Sequence, residues 1–228
     1  MRLGTKVDGV RVLVLGEAGV GKTCFADMFL KGENFIYHDP FDEIRRVLVV
    51  NHKEWPLQPV DISSTMLRES GPTLDKAVFD SSIASCQGIV LIYDVTSHES
   101  FDLVTQDAYM HVLRLRQAMS THNPNWGKRC GFLLVGNKLD LVTELPEKRQ
   151  VEKEMAEEWA QSQGFRHIEV SSKDRHAVDK AMVTLVSSIE VSRRRDERDR
   201  LADKSEVRSE PDRPSFKSRI KSTLKKSS

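Results

Sequence analysis

Eight consecutive residues, Gly16-Glu17-Ala18-Gly19-Val20-Gly21-Lys22-Thr23, have the types and spacing to hold an anion. They fit G-x-x-x-x-G-K-[ST], in which glycines let successive backbone N–H groups converge on one point. A β-branched apolar run over residues 10–15 precedes them and reads as a buried strand; residues 24–30 follow with apolar side chains at helical spacing. Strand, glycine loop and helix N-terminus together favour a phosphate group. In such a loop Lys22 places its charge on the terminal phosphates and the Thr23 hydroxyl ligates Mg²⁺. The pattern therefore predicts a nucleotide site, with the stretch from Gly16 to Cys24 around the phosphates and Lys22 and Thr23 as the residues that stabilise charge.

A second apolar run, residues 130–135, ends in Gly136-Asn137-Lys138-Leu139-Asp140. A carboxylate at Asp140 can accept hydrogen bonds from N1–H and the 2-amino group of guanine. Adenine has neither donor, and leaving such a carboxylate unpaired discriminates by about 10⁴-fold. Asn137 is placed to tie this loop to the glycine loop, and the Lys138 stem to cover one face of the base. A plain turn would also account for Asn and Asp after a strand. Further on, residues 166–170 read as a last strand, followed by Ser171-Ser172-Lys173, whose backbone N–H groups could meet the guanine O6.

Three motifs in this order and spacing resemble the Ras superfamily of small GTPases, nearest to its Ras branch, over about residues 8–192. The run Gly88-Ile89-Val90-Leu91-Ile92-Tyr93-Asp94-Val95, with Ser100-Phe101 after it, resembles that family's central strand and helix entry. The resemblance implies GTP and GDP as ligands, Mg²⁺ as the metal, protein effectors and regulators as partners, and a role in intracellular signalling. It also implies an aromatic against the guanine, for which Phe35 is the candidate and Tyr37 the second. Loop packing is the other reading of Phe35. Without the family, residues 46–50 and 56–62 flank the polar stretch Asn51-His52-Lys53-Glu54 and predict a hairpin. Helical patterns over 102–120, 148–162 and 174–195 alternate with the strands. The expected fold is α/β: a P-loop G domain with a mostly parallel six-stranded sheet, one antiparallel hairpin strand and helices on both faces. Ligands on such sheets bind at the carboxyl ends of the strands, where all three motifs fall.

The departures from the family pattern concern turnover. Its first switch carries a γ-phosphate-sensing threonine just after an Asp-Pro, here matched by Asp39-Pro40, but Phe41 follows, and no Thr or Ser occurs between Thr23 and Ser63. Its second switch opens with D-x-x-G and a water-orienting Gln; three residues on from Asp61, Asp75 and Asp80 stand Ser64, Val78 and Ile83. Glu69 is a candidate stand-in for the glutamine. Catalysis of phosphoryl transfer rests on positioning the water and stabilising spread charge, so these losses predict slow hydrolysis.

The chain carries 35 Lys/Arg and 34 Asp/Glu in 228 residues. Residues 193–228 hold 13 Lys/Arg against 7 Asp/Glu, a net +6, which leaves −5 on residues 1–192. We expect a G domain over 1–192 and a charged tail over 193–228, helical at first and then disordered. Beyond Asp212 the tail has no acid and six basic residues, with Phe216, Ile220 and Leu224 every fourth residue. Such a segment can lie on an anionic membrane, bind a calmodulin-like partner, or stay solvated. An acidic domain without an aromatic series argues against nucleic acid as a partner. Three widely separated cysteines give no disulfide framework and no metal site, in keeping with a reducing compartment. No apolar run approaches a membrane span or a leader h-region, no Cys follows Cys130 for prenylation, and Arg2 rather than Gly follows Met1. The expectation is a monomeric cytoplasmic protein, peripheral at most on the inner face of the plasma membrane.

Two functions fit these residues. One is a signalling GTPase with weak intrinsic hydrolysis. The other is a pseudo-GTPase that keeps guanine nucleotide as a structural ligand and acts as a scaffold. A P-loop nucleoside or nucleotide kinase is disfavoured by Asp140, by Ser171-Ser172-Lys173 and by the absence of an Arg-rich lid.

Overall fold

The computed structural model describes residues 9–33, 45–64, 67, 74–122 and 130–209. The chain divides into two compact units, Met1–Arg193 and Arg194–Ser228. The first holds β1 Val10–Gly16, α1 Lys22–Lys31, β2 Arg46–Val50, β3 Lys53–Ser63, α2 Leu74–Ser85 and β4 Gly88–Asp94. It continues with α3 His98–Asp102, a π-helical segment Leu103–Ala108, α4 Tyr109–His122, β5 Gly131–Asn137, α5 Leu139–Glu144, α6 Lys153–Ser162 and β6 Arg166–Glu169. Helix α7, Arg175–Ser209, closes the order; the described part of the second unit, residues 194–209, is helical throughout. No described helix is long and apolar enough to cross a membrane.

The six strands lie in the order β2-β3-β1-β4-β5-β6. All neighbours pair in parallel except β2 and β3. Successive side chains of a strand point to opposite faces, and the two cores divide the strands accordingly. Val12, Val14, Val90, Ile92, Leu133 and Val135 pack with Phe25, Phe29, Val178, Met182 and Leu185 of α1 and α7. Leu13, Leu15, Ile89, Leu91, Tyr93 and Leu134 pack with Phe79, Val104, Val112, Ala156 and Ala160 on the other face. Strands buried on both sides have no polar alternation, as the uniformly buried β4 shows.

Local chemistry sets the ends of the elements. Ser97 accepts from the Ser100 N–H at 3.2 Å and opens α3, while Asp174 accepts from His176 N at 2.8 Å and opens α7. Arg46 grips Asp179 through both guanidinium nitrogens, at 2.5 and 2.8 Å, and so holds the edge strand β2 against α7.

Several boundaries differ from the pattern-based expectation. The hairpin turn is only Asn51-His52, both in the left-handed region with φ of 52° and 60°, and Lys53 and Glu54 belong to β3. A two-residue turn of this hand matches the twist of the strands. The expected helix over 148–162 starts at Lys153, after a single 3₁₀ turn at Pro146–Lys148. Helix α7 runs past residue 195, through a polar continuation in which Glu197, Arg198, Arg200, Leu201, Ala202 and Lys204 are good helix formers. Helices α2 and α5 have no counterpart among the elements expected from the sequence.

Candidate nucleotide-binding site

Strand β1 delivers Gly16 to the carboxyl edge of the sheet, where its carbonyl accepts from Ser64 N at 2.9 Å. The loop then turns through Gly19 and Gly21, with φ of 83° and 96°. At Gly19 the requirement is conformational only, since a Cβ there would meet nothing within 4 Å. Gly21 is constrained twice, because a Cβ would also lie 2.5 Å from Asn137 Nδ2. Helix α1 starts at the next residue, so its free N–H groups face the loop. Val20 is buried under the loop, Ala18 is exposed and Glu17 half-buried.

Lys22 is buried, and its ammonium donates to the Glu17 carbonyl at 2.6 Å. Burial pulls its pKa below the ordinary lysine value, against the opposing charges of Asp61 and Glu17. A cation held in this way gains from an anion placed in the loop. The Thr23 hydroxyl donates to Asp61 Oδ2 at 2.6 Å. A hydroxyl and a carboxylate side by side at the phosphate loop are the hard oxygen donors that Mg²⁺ takes, so these residues fit that ion.

At the end of β5, Asn137 is buried and bonded on both sides of its amide. Its Nδ2 donates to Val20 O at 2.7 Å, and its Oδ1 accepts from Ser172 N and Ser172 Oγ at 2.9 and 2.8 Å. Lys138 follows in the left-handed region, φ 65°, with its ammonium on Asp94 Oδ2 at 2.7 Å. Asp140 accepts from Ser171 Oγ at 2.8 Å and from Lys173 Nζ at 2.7 Å. Burial acts to raise the Asp140 pKa, but hydrogen bonds from Lys173 and Ser171 and the Lys173 charge outweigh it and bring the carboxyl below its usual value. Asp140 therefore presents a charged acceptor.

A cavity of about 220 Å³ is lined by Gly19, Gly21, Cys24, Asn137, Lys138, Asp140, Leu141, Ser171, Ser172 and Lys173. Three stretches far apart in sequence thus meet at the carboxyl edge of the sheet. Phe35, Tyr37, Asp39-Pro40-Phe41, Glu69 and residues 213–228 lie outside the described residues.

The profile of the Ras family matches residues 11–191. The chain belongs to the Ras family. It is 30% identical to the Ras-like protein rasZ of Dictyostelium discoideum over 198 residues, 86% of this chain and 81% of rasZ. It is 29% identical to the Ras-related protein Ral-B of Rattus norvegicus, covering 86% of each chain. Ras-like protein rasV of Dictyostelium discoideum matches at 30% over 75% of this chain and 66% of its own length. As a Ras-family small GTPase the chain falls in a class whose members bind GTP and GDP with Mg²⁺.

Two residues of this Ras-family site were not singled out from sequence. Asp61 was noted only for the missing glycine three residues later, yet it holds the Thr23 hydroxyl; its place opposite Val14 in the β1–β3 register brings it there. Asp94 holds Lys138 and also accepts from Thr96 N and Thr96 Oγ1, at 2.8 and 2.7 Å. The fourth position of the second-switch pattern is Ser64, fully buried, and its Oγ has no hydrogen-bond partner among the described residues. An unpaired buried hydroxyl costs about 1–3 kcal/mol. Ser64→Ala should accordingly stabilise the protein by about 1 kcal/mol, seen as a higher denaturant midpoint at unchanged slope. A lower midpoint would mean that the hydroxyl has a partner.

Proposed function

We propose that this chain is a Ras-like GTPase that binds GTP and GDP with Mg²⁺, hydrolyses GTP slowly, and acts in intracellular signalling through protein effectors and regulators. The observation that carries the reading is the Asn137 amide joining Val20 of the phosphate loop to Ser172, with the Asp140 carboxylate lining the same cavity. In this reading the backbone from Gly16 to Cys24 cradles the phosphates and Lys22 neutralises them. Thr23, with Asp61 behind it, would hold Mg²⁺, which would supply charge neutralisation for the phosphates. Asp140 reads the base edge, Lys138 covers its face, and the Ser171-Ser172-Lys173 loop approaches O6. Phe35 is proposed as the aromatic against the base.

Guanine selectivity should depend on Asp140. Asp140→Asn is expected to weaken GDP and GTP binding at least about tenfold and to admit xanthine nucleotides, because xanthine presents an acceptor where guanine has its 2-amino donor. Lys22→Ala should weaken binding by the separate phosphate route. Fluorescent-nucleotide titration measures both, and a wild type that binds ATP as tightly as GTP would refute the assignment.

Slow turnover follows from Ser64 in place of the second-switch glycine and from the absence of a first-switch hydroxyl between Thr23 and Ser63. Single-turnover GTP hydrolysis should be slow, and hydrogen exchange over residues 34–45 and 61–75 should differ little between the GTP and GDP forms. Fast turnover with strong γ-phosphate-dependent protection would contradict this, whereas tight binding with no hydrolysis would favour the pseudo-GTPase scaffold.

The basic segment 213–228 is proposed to bring the protein reversibly to the cytoplasmic face of an anionic membrane. Each Lys or Arg at such a surface contributes about 1 kcal/mol, and Phe216, Ile220 and Leu224 add shallow insertion. The full chain should sediment with anionic but not neutral vesicles, and less so at high salt. Equal partition of the full chain and of a chain ending at Asp212 would leave the tail without this role.

A further inference from the structure

At the end of the sheet opposite the nucleotide site, two cysteines 44 residues apart in sequence meet with their sulfurs 3.8 Å apart. Cys86 directly follows α2, and Cys130 directly precedes β5. Parallel pairing brings them together: Gly88 is opposite Gly131, and Gly131 N donates to Gln87 O at 3.0 Å. Both thiols are free and both residues are buried, in contrast to the half-buried Cys24 at the nucleotide cavity. A third group completes the cluster. Arg116 of α4 places Nη2 3.0 Å from the carbonyls of both Ile83 and Cys86, and 3.4 Å from Cys86 Sγ. The guanidinium thus caps the last turn of α2 and at the same time stands beside one sulfur of the pair.

We propose that Cys86 and Cys130 are a modification site, closing into a reversible disulfide when the protein meets a hydroperoxide. Neither the nucleotide cavity nor the slow-turnover reading enters this inference. A disulfide has its sulfurs about 2.05 Å apart, so closure asks the two sulfurs to approach from the present 3.8 Å. The Arg116 guanidinium, 3.4 Å from Cys86 Sγ, marks Cys86 as the attacking and Cys130 as the resolving sulfur. The hydrogen bond from Cys130, set against burial and joined by the Arg116 charge, brings the Cys86 thiol down to about 7. Burial pushes the Cys130 thiol well up, and its contact with Cys86 adds to that. The thiolate is the nucleophile. Cys86 S⁻ attacks the peroxide oxygen, the O–O bond breaks, and an alkoxide or hydroxide leaves and takes up a proton, giving a sulfenic acid on Cys86. Cys130 sulfur then attacks the sulfenic sulfur; its thiol proton goes with the departing hydroxide as water, and the S–S bond forms. Overall, two thiols lose two electrons and two protons, and one hydroperoxide is reduced to an alcohol, or to water, plus water. The product ties the end of α2 covalently to the start of β5.

The test treats the full-length protein with stoichiometric hydrogen peroxide, followed by thiol titration under denaturing conditions and peptide mapping. Of the three thiols in the chain one should remain, the intact mass should fall by two hydrogens, and a linked peptide should join Cys86 to Cys130. A dithiol reductant should restore all three. Cys24→Ser should lose both of its thiols under the same treatment, whereas Cys86→Ser should keep both of its own. Arg116→Gln should slow the reaction about tenfold, and Arg116→Lys should recover part of that rate. Loss of thiols in Cys86→Ser equal to the wild type, a Cys86 sulfinic acid with Cys130 still free, or a Cys24-linked dimer as the product would each overturn the proposal.

Discussion

The site depends on one side-chain amide. Asn137 stands buried at the end of β5 and uses both ends of its amide on backbone that belongs to two other segments. A buried amide must be fully paired or it is a liability, so its orientation is fixed by its partners. Aspartate there would set an acceptor against the Val20 carbonyl, itself an acceptor, and alanine would leave both Val20 O and Ser172 N without their present partner. The same amide explains why Gly21 tolerates no side chain, since a Cβ would fall on Asn137 Nδ2. The glycine of the phosphate pattern is therefore required by a residue more than a hundred positions away. The glycine loop and the loop at residues 137–140 are one structure.

Around the cavity, every lysine of the site is held by an internal acceptor. Lys22 is on the Glu17 carbonyl, Lys138 on Asp94 and Lys173 on Asp140. These pairs differ in what exchanging them costs. Lys173 is exposed, so its pair with Asp140 is screened and easily given up for other donors. Lys138 meets a carboxylate that is only 10% exposed and that Thr96 also pairs, so its position is set by the fold. Lys22 is buried with only a carbonyl as its direct acceptor, and an anion in the loop improves its environment most. The arrangement keeps the Asp140 carboxylate charged while Lys138 stays fixed.

Sequence reading went furthest where backbone geometry demands particular residue types. The glycine loop, Asn137-Lys138-Leu139-Asp140 and Ser171-Ser172-Lys173 were all legible, and the structure gathers them at one edge of the sheet. The six strands and the single antiparallel pair followed from apolar runs and the polar break at residues 51–54, although that break proved two residues long; the order of the strands in the sheet was not legible. What was not legible depends on register. Asp61 and Asp94 look like ordinary strand-end acids, and only the β1–β3 and β4–β5 pairings set them against Thr23 and Lys138. Cys86 and Cys130 are likewise unrelated in the sequence until the β4–β5 pairing sets them side by side. Helices α2 and α5 did not declare themselves: α5 is only six residues long, and in α2 the apolar run Ala77-Val78-Phe79 does not mark one face, Val78 being exposed where Phe79 is buried.

Helix α2 links two regions of distinct chemistry. Its first residue, Leu74, follows the stretch that begins at Asp61 and Ser64, and its last turn is capped by Arg116 beside the thiol pair. Phe79 and Ile83 are fully buried against the sheet, so the helix is anchored in its middle and at its end. A packed helix transmits displacement as a unit because protein interiors are close-packed and repack discretely rather than flow. Anything that displaces the end of α2 therefore acts also on its first turn at Leu74. Coupling in this sense needs a discrete alternative position of α2 that both ends bias, and the thiol pair proposed to close lies at one of those ends.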